Sequence, residues 1–347
     1  MKNNRLLYIL IIFLTAWCAI LSSELADVRN REDDTIINQY EVNGFSTDFT
    51  KIIEEARSAV VTINADGNIL SGFVYKQENE DVYIISAYHG VSNVNSILVT
   101  FGASYTVNGE LVGHDIFTDL AIIRIRTPYL IEALKLGDAS LLKKGEFVIC
   151  LGTPLSLDYQ GSVEMGMVSA APLQIENTIQ VEEERYSYFL NMIQLNSDLL
   201  AGYSGSPLIN MNGEVIGINT MSYNNSLVFS LTINEARIVA DQLIANGSVE
   251  RNTFGIKGTY LKDMYNYEKS DLNIALDTLD GIYVNRVRET GLAYAAGIRT
   301  GDVITTINGE SISDLNSYLR AVYAPSEENS FEYIRNGEKV NAVIGND

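Results

Sequence analysis

Gly202-Tyr203-Ser204-Gly205-Ser206-Pro207 is the stretch on which the reading of this chain turns. A serine between two glycines sits where the backbone can bend sharply and bring successive amides to one point. Upstream, Thr118-Asp119-Leu120-Ala121 sets an aspartate at the head of an apolar run, and Ser86-Ala87-Tyr88-His89 sets a histidine just after one. Serine is a weak nucleophile at neutral pH. It needs a base within hydrogen-bond reach, and the base needs an acceptor that fixes its tautomer. Each segment alone is weak: Gly-x-Ser-Gly is common in loops, an aspartate before a strand is usually a cap, and an isolated histidine is usually structural. The chain has only two histidines, and His114 in Val112-Gly113-His114-Asp115 keeps the structural reading. The three segments together, in this order, point to serine-nucleophile chemistry. The amides of Gly202 and Ser204 would then bind the oxyanion of a tetrahedral intermediate.

The surrounding sequence reads as β structure. Gly72-Phe73-Val74-Tyr75, Val82-Tyr83-Ile84-Ile85, Ile97-Leu98-Val99-Thr100 and Leu120-Ala121-Ile122-Ile123 are short runs broken by Gly, Asn and Asp. Many short strands with turn signals predict a closed or sandwiched β domain. Phe49, Ile52, Ile53 and Ala56 recur at helical spacing before a strand at Ala59–Ile63, and a helix at Ile233–Ala245 closes the domain. A second module begins near Arg251. It has strands at Gly281–Val284 and Asp302–Ile307, a turn at Asn308-Gly309, and a helical stripe of Leu315, Tyr318, Leu319, Val322 and Tyr323. A final hairpin, Phe331–Ile334 with Lys339–Ile344, folds about Asn336-Gly337.

Length and composition bound these readings. At 347 residues the chain holds at least two domains, and 46% hydrophobic with 20% charged residues describes a globular protein. The net charge of −20, from 24 basic and 44 acidic residues, argues against binding nucleic acid through its phosphates. Two cysteines cannot make a disulfide framework or a cysteine zinc site, and Cys150 in Phe147-Val148-Ile149-Cys150-Leu151 reads as a buried thiol. Lys2 and Arg5 precede an uncharged run from Leu6 to Leu21, and Glu32-Asp33-Asp34 follows it. That run lies between a signal-peptide core and a full membrane span, and an uncleaved anchor is the favoured reading. Its flanking charges place the N-terminus in the cytoplasm and the body outside. The expected layout is an anchor or signal at 1–23, a polar tether at 24–46, a protease-like domain at 47–250 and a small peptide-binding domain at 251–347.

Taken with Ser71-Gly72-Phe73-Val74, Phe117-Thr118-Asp119-Leu120-Ala121 and Gly213-Glu214-Val215-Ile216-Gly217-Ile218-Asn219-Thr220, the chain resembles the HtrA family of trypsin-like serine proteases over roughly residues 47–345. Asp280-Gly281-Ile282-Tyr283-Val284 and Gly297-Ile298-Arg299-Thr300-Gly301-Asp302-Val303-Ile304 resemble a PDZ domain. The resemblance implies a mostly β fold: a double β-barrel protease domain followed by one PDZ domain, with an N-terminal membrane anchor. It implies His89 as general base, Asp119 as its orienting partner and Ser204 as nucleophile, with no metal and no cofactor. The nucleophile run departs from the family's usual Asn-Pro-Gly-Asn-Ser-Gly-Gly-Pro. Ser206 for glycine is mild, whereas Tyr203 for asparagine could reshape the oxyanion loop or cap the site.

Specificity is less defined. Counting back from Ser204 puts Asp198 at the floor of the primary pocket, which would favour a basic residue. A small apolar pocket lined by Leu200 and Ile218 is the preferred alternative, because aspartate is usually exposed. Asn219 and Thr220 would lie beside the bound substrate. Thr253-Phe254-Gly255-Ile256 is similar to the PDZ loop whose amides hold a tail carboxylate, so Phe254, Gly255 and Ile256 are expected to bind C-terminal peptide tails as an added strand. Gln174 to Leu190, with Glu182-Glu183-Glu184-Arg185, reads as a solvated loop. In the family this region carries a sensor loop, which makes Arg185 a candidate relay residue. The layout of one anchor, one protease domain and one PDZ domain is similar to that of the family's membrane-tethered members. This resemblance, not the sequence itself, implies a homotrimeric envelope-stress protease, single-pass in the bacterial inner membrane with its body in the periplasm, cleaving a membrane anti-sigma factor. The alternatives are a soluble periplasmic quality-control protease and an inactive binding scaffold blocked by Tyr203.

Overall fold

Twelve strands close into two barrels, so neither has a free sheet edge. The first comprises β1 (Val60–Ala65), β2 (Asn68–Glu78), β3 (Asp81–Ala87), β4 (Ile97–Phe101), β5 (Tyr105–Asp115) and β6 (Leu120–Arg126), in the order β1-β2-β3-β6-β5-β4. The second comprises β7 (Phe147–Gly152), β8 (Ser162–Val181), β9 (Glu184–Leu195), β10 (Pro207–Asn210), β11 (Val215–Tyr223) and β12 (Leu227–Thr232), in the order β10-β11-β12-β9-β8-β7. The computed structural model describes residues 49–345 except 182, 198 and 224–226, together with residues 15–17, 19, 21 and 22. The expected anchor and tether lie almost wholly outside the described residues. Among the described residues no helix is long and apolar enough to cross a membrane.

The barrels form because the apolar runs are β-branched. Ile63, Phe73, Ile84, Ile85, Ile122 and Ile123 are fully buried, each worth about 1.5–3 kcal/mol of burial. Residues from Phe49 onward make one compact unit. The helix Phe49–Ala56 lays Ile52 and Ala56 on the core, and the helix Ile233–Asn246 buries Ala236, Val239, Ala240 and Leu243.

The C-terminal module is a sheet of β13 (Ile256–Tyr260), β14 (Ile282–Val287), β15 (Val303–Ile307), β17 (Glu328–Arg335) and β18 (Glu338–Gly345), in that order. A short β16 (Glu310–Ser311) pairs with β15, and the helix Leu315–Val322 packs beside the sheet. Both Asn-Gly pairs form the expected tight turns: Asn308 and Gly309 have φ of 52° and 79°, Asn336 and Gly337 of 52° and 84°. β13 is an edge strand, paired with β14 alone.

One expectation is corrected. Residues 174–190 are not a solvated loop but most of a long hairpin, with β8 and β9 in register from Leu173↔Met192 out to Val181↔Glu184. Glu183 and Arg185 of the charged run sit at its tip. Behind it Tyr186, Tyr188, Phe189 and Leu190 are residues that suit a half-buried strand.

This hairpin and the C-terminal module meet over Arg251. The Arg251 side chain pairs with Asp115 at 2.7 Å, both side chains being only 6% exposed. Its guanidinium lies over the rings of Phe117, Tyr188 and Tyr323. Burial opposes its charge, but Tyr323, Asp115 and Glu235 outweigh that and keep it protonated. Glu235, buried at the start of its helix, accepts from the Tyr323 hydroxyl at 2.8 Å and from the Asn191 amide and side chain at 3.0 Å. Burial nonetheless pushes the Glu235 carboxyl above its usual range.

Candidate functional site

His89, Asp119 and Ser204 come from three different chain turns. β3 ends at Ala87 and passes into a single helical turn, Tyr88–Gly90. A Cβ at Gly90 would meet the Leu70 side chain, so any larger residue there would have to displace it. Asp119 precedes β6 with a φ of 58°, a left-handed conformation that aspartate tolerates better than most side chains. Its carboxylate is held by both halves of His89: the backbone amide donates to Oδ1 at 2.8 Å, and Nδ1 lies 2.6 Å from Oδ2. The Tyr88 amide also donates to the Asp119 carbonyl at 2.8 Å. With Nδ1 turned onto a carboxylate, the ring's Nε2 is left as the free basic nitrogen. The hydrogen bond to Asp119 raises the His89 pKa above 6.5, against the lowering effect of partial burial.

The loop that carries Ser204 is fixed from beneath. Gly202 and Gly205 have φ of 101° and 83°. A Cβ on Gly202 would strike the Thr153 carbonyl, and one on Gly205 the Ser71 carbonyl. Ser71, on β2, is the hub: its amide donates to the Ser204 carbonyl at 3.0 Å, and its hydroxyl donates to the Gly202 carbonyl at 2.7 Å. Its hydroxyl also accepts from the Thr153 amide, and its carbonyl accepts from the Ser86 hydroxyl. The Ala201 carbonyl is likewise taken, by the Leu155 amide at 2.8 Å. Carbonyls are thereby tied down, while the amides of Gly202 and Ser204 donate to no group among the described residues. That is the arrangement an anion-binding loop requires. Ser204 itself is half-buried at the surface.

Tyr203 does not cap the site. It is 4% exposed and packs among Val148, Cys150, Val168 and Leu208 in the core of the second barrel. Burial pushes its hydroxyl up to about 12, as it does the Cys150 thiol. His114, the other histidine, is exposed and stacks on Tyr88 with ring centroids 4.0 Å apart.

The expected specificity residues fare unevenly. Asp198 lies outside the described residues. Leu200 is 54% exposed. Ile218 is wholly buried in the core and offers no surface to a substrate, because β11 turns it inward. Asn219 is turned inward as well. Its side chain donates to the Ser206 hydroxyl at 2.8 Å and accepts from Ser230 at 2.6 Å, and its carbonyl accepts from the Gly205 amide. It therefore supports the Ser204 loop from below. Thr220 keeps a buried hydroxyl with no hydrogen-bond partner among the described residues.

Residues that sequence reading missed are second in line. Asp115 accepts from the Thr118 amide and hydroxyl, which shapes the turn carrying Asp119. Ser71 and Ser86 are polar residues at buried strand positions, and that was the signal available for them.

In the C-terminal module, Phe254 and Ile256 are buried, with Phe254 edge-on to Phe331. Gly255 has a φ of 71° and turns between them. The carbonyls of Thr253, Phe254 and Gly255 are taken by the amides of Leu292, Ala293 and Arg288. The Phe254 and Gly255 amides donate to nothing among the described residues. They border a groove of about 340 Å³ walled by the helix residues Tyr318 and Val322, by Arg288, and by Arg185 and Tyr188 of β9.

Two closed six-stranded barrels with a histidine–aspartate pair and a glycine-bracketed serine define a trypsin-like peptidase fold. Comparison agrees: residues 70–218 match the trypsin-like peptidase domain family and residues 283–335 the PDZ domain family. The chain is 31% identical over 284 residues to the serine protease Do-like HtrA of Lactobacillus helveticus, covering 79% of this chain and 67% of that one. It is 32% identical over 277 residues to the serine protease Do-like HtrB of Bacillus subtilis, covering 77% of this chain and 60% of that relative's length. A solved structure of the HtrA-type protease AlgW with a tripeptide superposes with a TM-score of 0.60 at 26% identity, over 85% of this chain and 95% of that one. The chain belongs to the HtrA family of trypsin-like serine proteases.

Proposed function

We propose that this chain is a serine endopeptidase whose Ser204, His89 and Asp119 form the catalytic triad. The observation that carries the reading is the double grip of Asp119 on His89 beside two undonated amides in the Ser204 loop. Ser204 Oγ attacks the scissile carbonyl while His89 Nε2 takes its proton. Asp119 holds the ring and stabilises the imidazolium. The amides of Gly202 and Ser204 receive the oxyanion, an effect worth about 10²–10³ in rate per donor in serine proteases. His89 then protonates the leaving amine, and a water, deprotonated by the same nitrogen, releases the acyl group from Ser204. No step calls for a metal or cofactor. The inward position of Tyr203 favours this reading over an inactive scaffold.

The C-terminal groove is proposed to bind C-terminal peptide tails, with the carboxylate on the Phe254–Ile256 loop and the tail added to β13. Tail binding would switch the protease on, with Arg185 as a relay. The finer reading is a DegS-like enzyme: a homotrimer held by residues 1–23 at the cytoplasmic membrane, its body on the outer side, cleaving a membrane anti-sigma factor. The charge pattern flanking Leu6–Leu21 supports the tether. A soluble quality-control protease would instead lose that segment, which sequencing the mature N-terminus decides.

Labelling with a fluorophosphonate tests the activity. Wild type is expected to label at Ser204, faster with a tail peptide added, and Ser204→Ala not at all. Absence of wild-type labelling with and without peptide would leave only the scaffold reading.

A further inference from the structure

The groove is not empty of competitors, because the protease hairpin already uses its strand edge. Gly258 lies in β13, the edge strand. Its amide donates to Gln174 Oε1, on β8, at 2.7 Å. Two residues earlier, the Ile256 carbonyl accepts from the Tyr318 hydroxyl at 3.5 Å. In an edge strand, groups two residues apart face the same side. A peptide strand added to β13 would therefore take the Gly258 amide and the Ile256 carbonyl. The side-chain amide oxygen of Gln174 stands where the main-chain carbonyl of such a peptide would stand.

We propose that Gln174 is a latch on the tail groove: it occupies the Gly258 amide in the resting state, and an incoming tail must displace it. The proposal rests on the reading of the groove as a tail site. Three features suit a latch. Gln174 is buried, so its bond is shielded from water. Its Nε2 is also buried but has no acceptor among the described residues, so the latched state carries a desolvation penalty that release removes. The same strand holds Glu176, which pairs with Arg286 at 2.7 Å and Arg288 at 3.7 Å, so the hairpin stays docked on β14 when one carboxamide lets go. One turn further out, Asn177 donates to the Phe117 carbonyl at 3.2 Å, two residues before Asp119. The latched strand thus touches both the tail groove and the segment that carries the catalytic aspartate.

The test uses the full chain and fluorescein-labelled decapeptides with free C-terminal carboxylates, ending in Phe, Leu or Val, beside their amidated counterparts. Gln174→Ala is expected to bind the free-carboxylate peptides about two- to tenfold more tightly than wild type, the span that one neutral hydrogen bond is worth. Gln174→Glu keeps an acceptor, and a charged one, so its affinity is expected at or below that of wild type. Without peptide, hydrogen–deuterium exchange over residues 256–260 should quicken in Gln174→Ala and not in Gln174→Glu. If wild type binds the tails and Gln174→Ala binds no more tightly, or if exchange over 256–260 is unchanged, the latch is overturned and the tail site stands. If no protein distinguishes free from amidated peptides, the tail reading falls and the latch with it.

Discussion

Stability and catalysis make opposite demands on the protonation of the His89 ring. The hydrogen bond to Asp119 raises the imidazole pKa above 6.5, so the folded state favours the protonated ring. The stability this pair contributes is full below about 6.5, the ordinary histidine value, and is lost as pH rises through the raised value. Catalysis needs the neutral ring, so activity should appear over the same range in which that stabilisation fades. We expect the acid limb of kcat/KM to have a midpoint above 6.5, and a midpoint at or below it would count against His89 as the base. Asp119→Asn should lower kcat by about 10⁴-fold, the loss seen when this tautomer is no longer fixed in a serine triad, with the fold retained by circular dichroism. Gly202→Ala carries a different expectation. Its Cβ would meet the Thr153 carbonyl at a φ of 101°, so the loop must move and the oxyanion amides with it. We expect a fall in kcat of about 10²–10³-fold with little change in KM, measured on a peptide substrate.

The β8–β9 hairpin is the element whose meaning changed most. Its sequence hides a strand pair behind a charged tip, and its neighbours are distant in the chain. Phe117 packs on Tyr188 with centroids 4.0 Å apart, and Arg251 is stacked among Phe117, Tyr188 and Tyr323. Arg251 therefore joins the turn before Asp119, the hairpin and the residue that ends the helix Leu315–Val322. Removing one partner of a buried pair strands the other charge, which costs about 3–5 kcal/mol. Arg251→Ala should lower unfolding free energy in urea by about that much. The double variant with Asp115→Asn should recover part of it, because no bare carboxylate is then left behind. A purely additive double variant would mean the pair is not coupled.

At the scale of the whole molecule, the two barrels and the C-terminal sheet share buried polar groups. Glu235 and Asp115 belong to the protease domain, yet Tyr323 and Arg251 satisfy them from the other side. A chain ending at residue 250 should therefore melt at a lower temperature than the full chain in differential scanning calorimetry, beyond the mere loss of the smaller domain's own transition. Much of the architecture was legible without coordinates. Alternating β-branched runs, the Asn-Gly turns and the helical stripe at Leu315–Tyr323 act over a few residues, so local pattern determines them. The segments around His89, Asp119 and Ser204, with the two flanking glycines, stood out in the sequence for the same reason, since each depends on the few residues around it. Ile218, Asn219, Tyr203 and Gln174 were not. Which face of a strand turns inward, and which side chain reaches an amide 84 residues away, is set by how closed barrels and a docked sheet meet in space. Residue types and short spacings thus determined the chemistry and the strands. Only the tertiary structure decided that Tyr203 turns into the barrel core, that Asn219 supports the Ser204 loop, and that the groove beside Phe254–Ile256 is walled in part by the β8–β9 hairpin, because those outcomes depend on contacts between segments far apart in the chain.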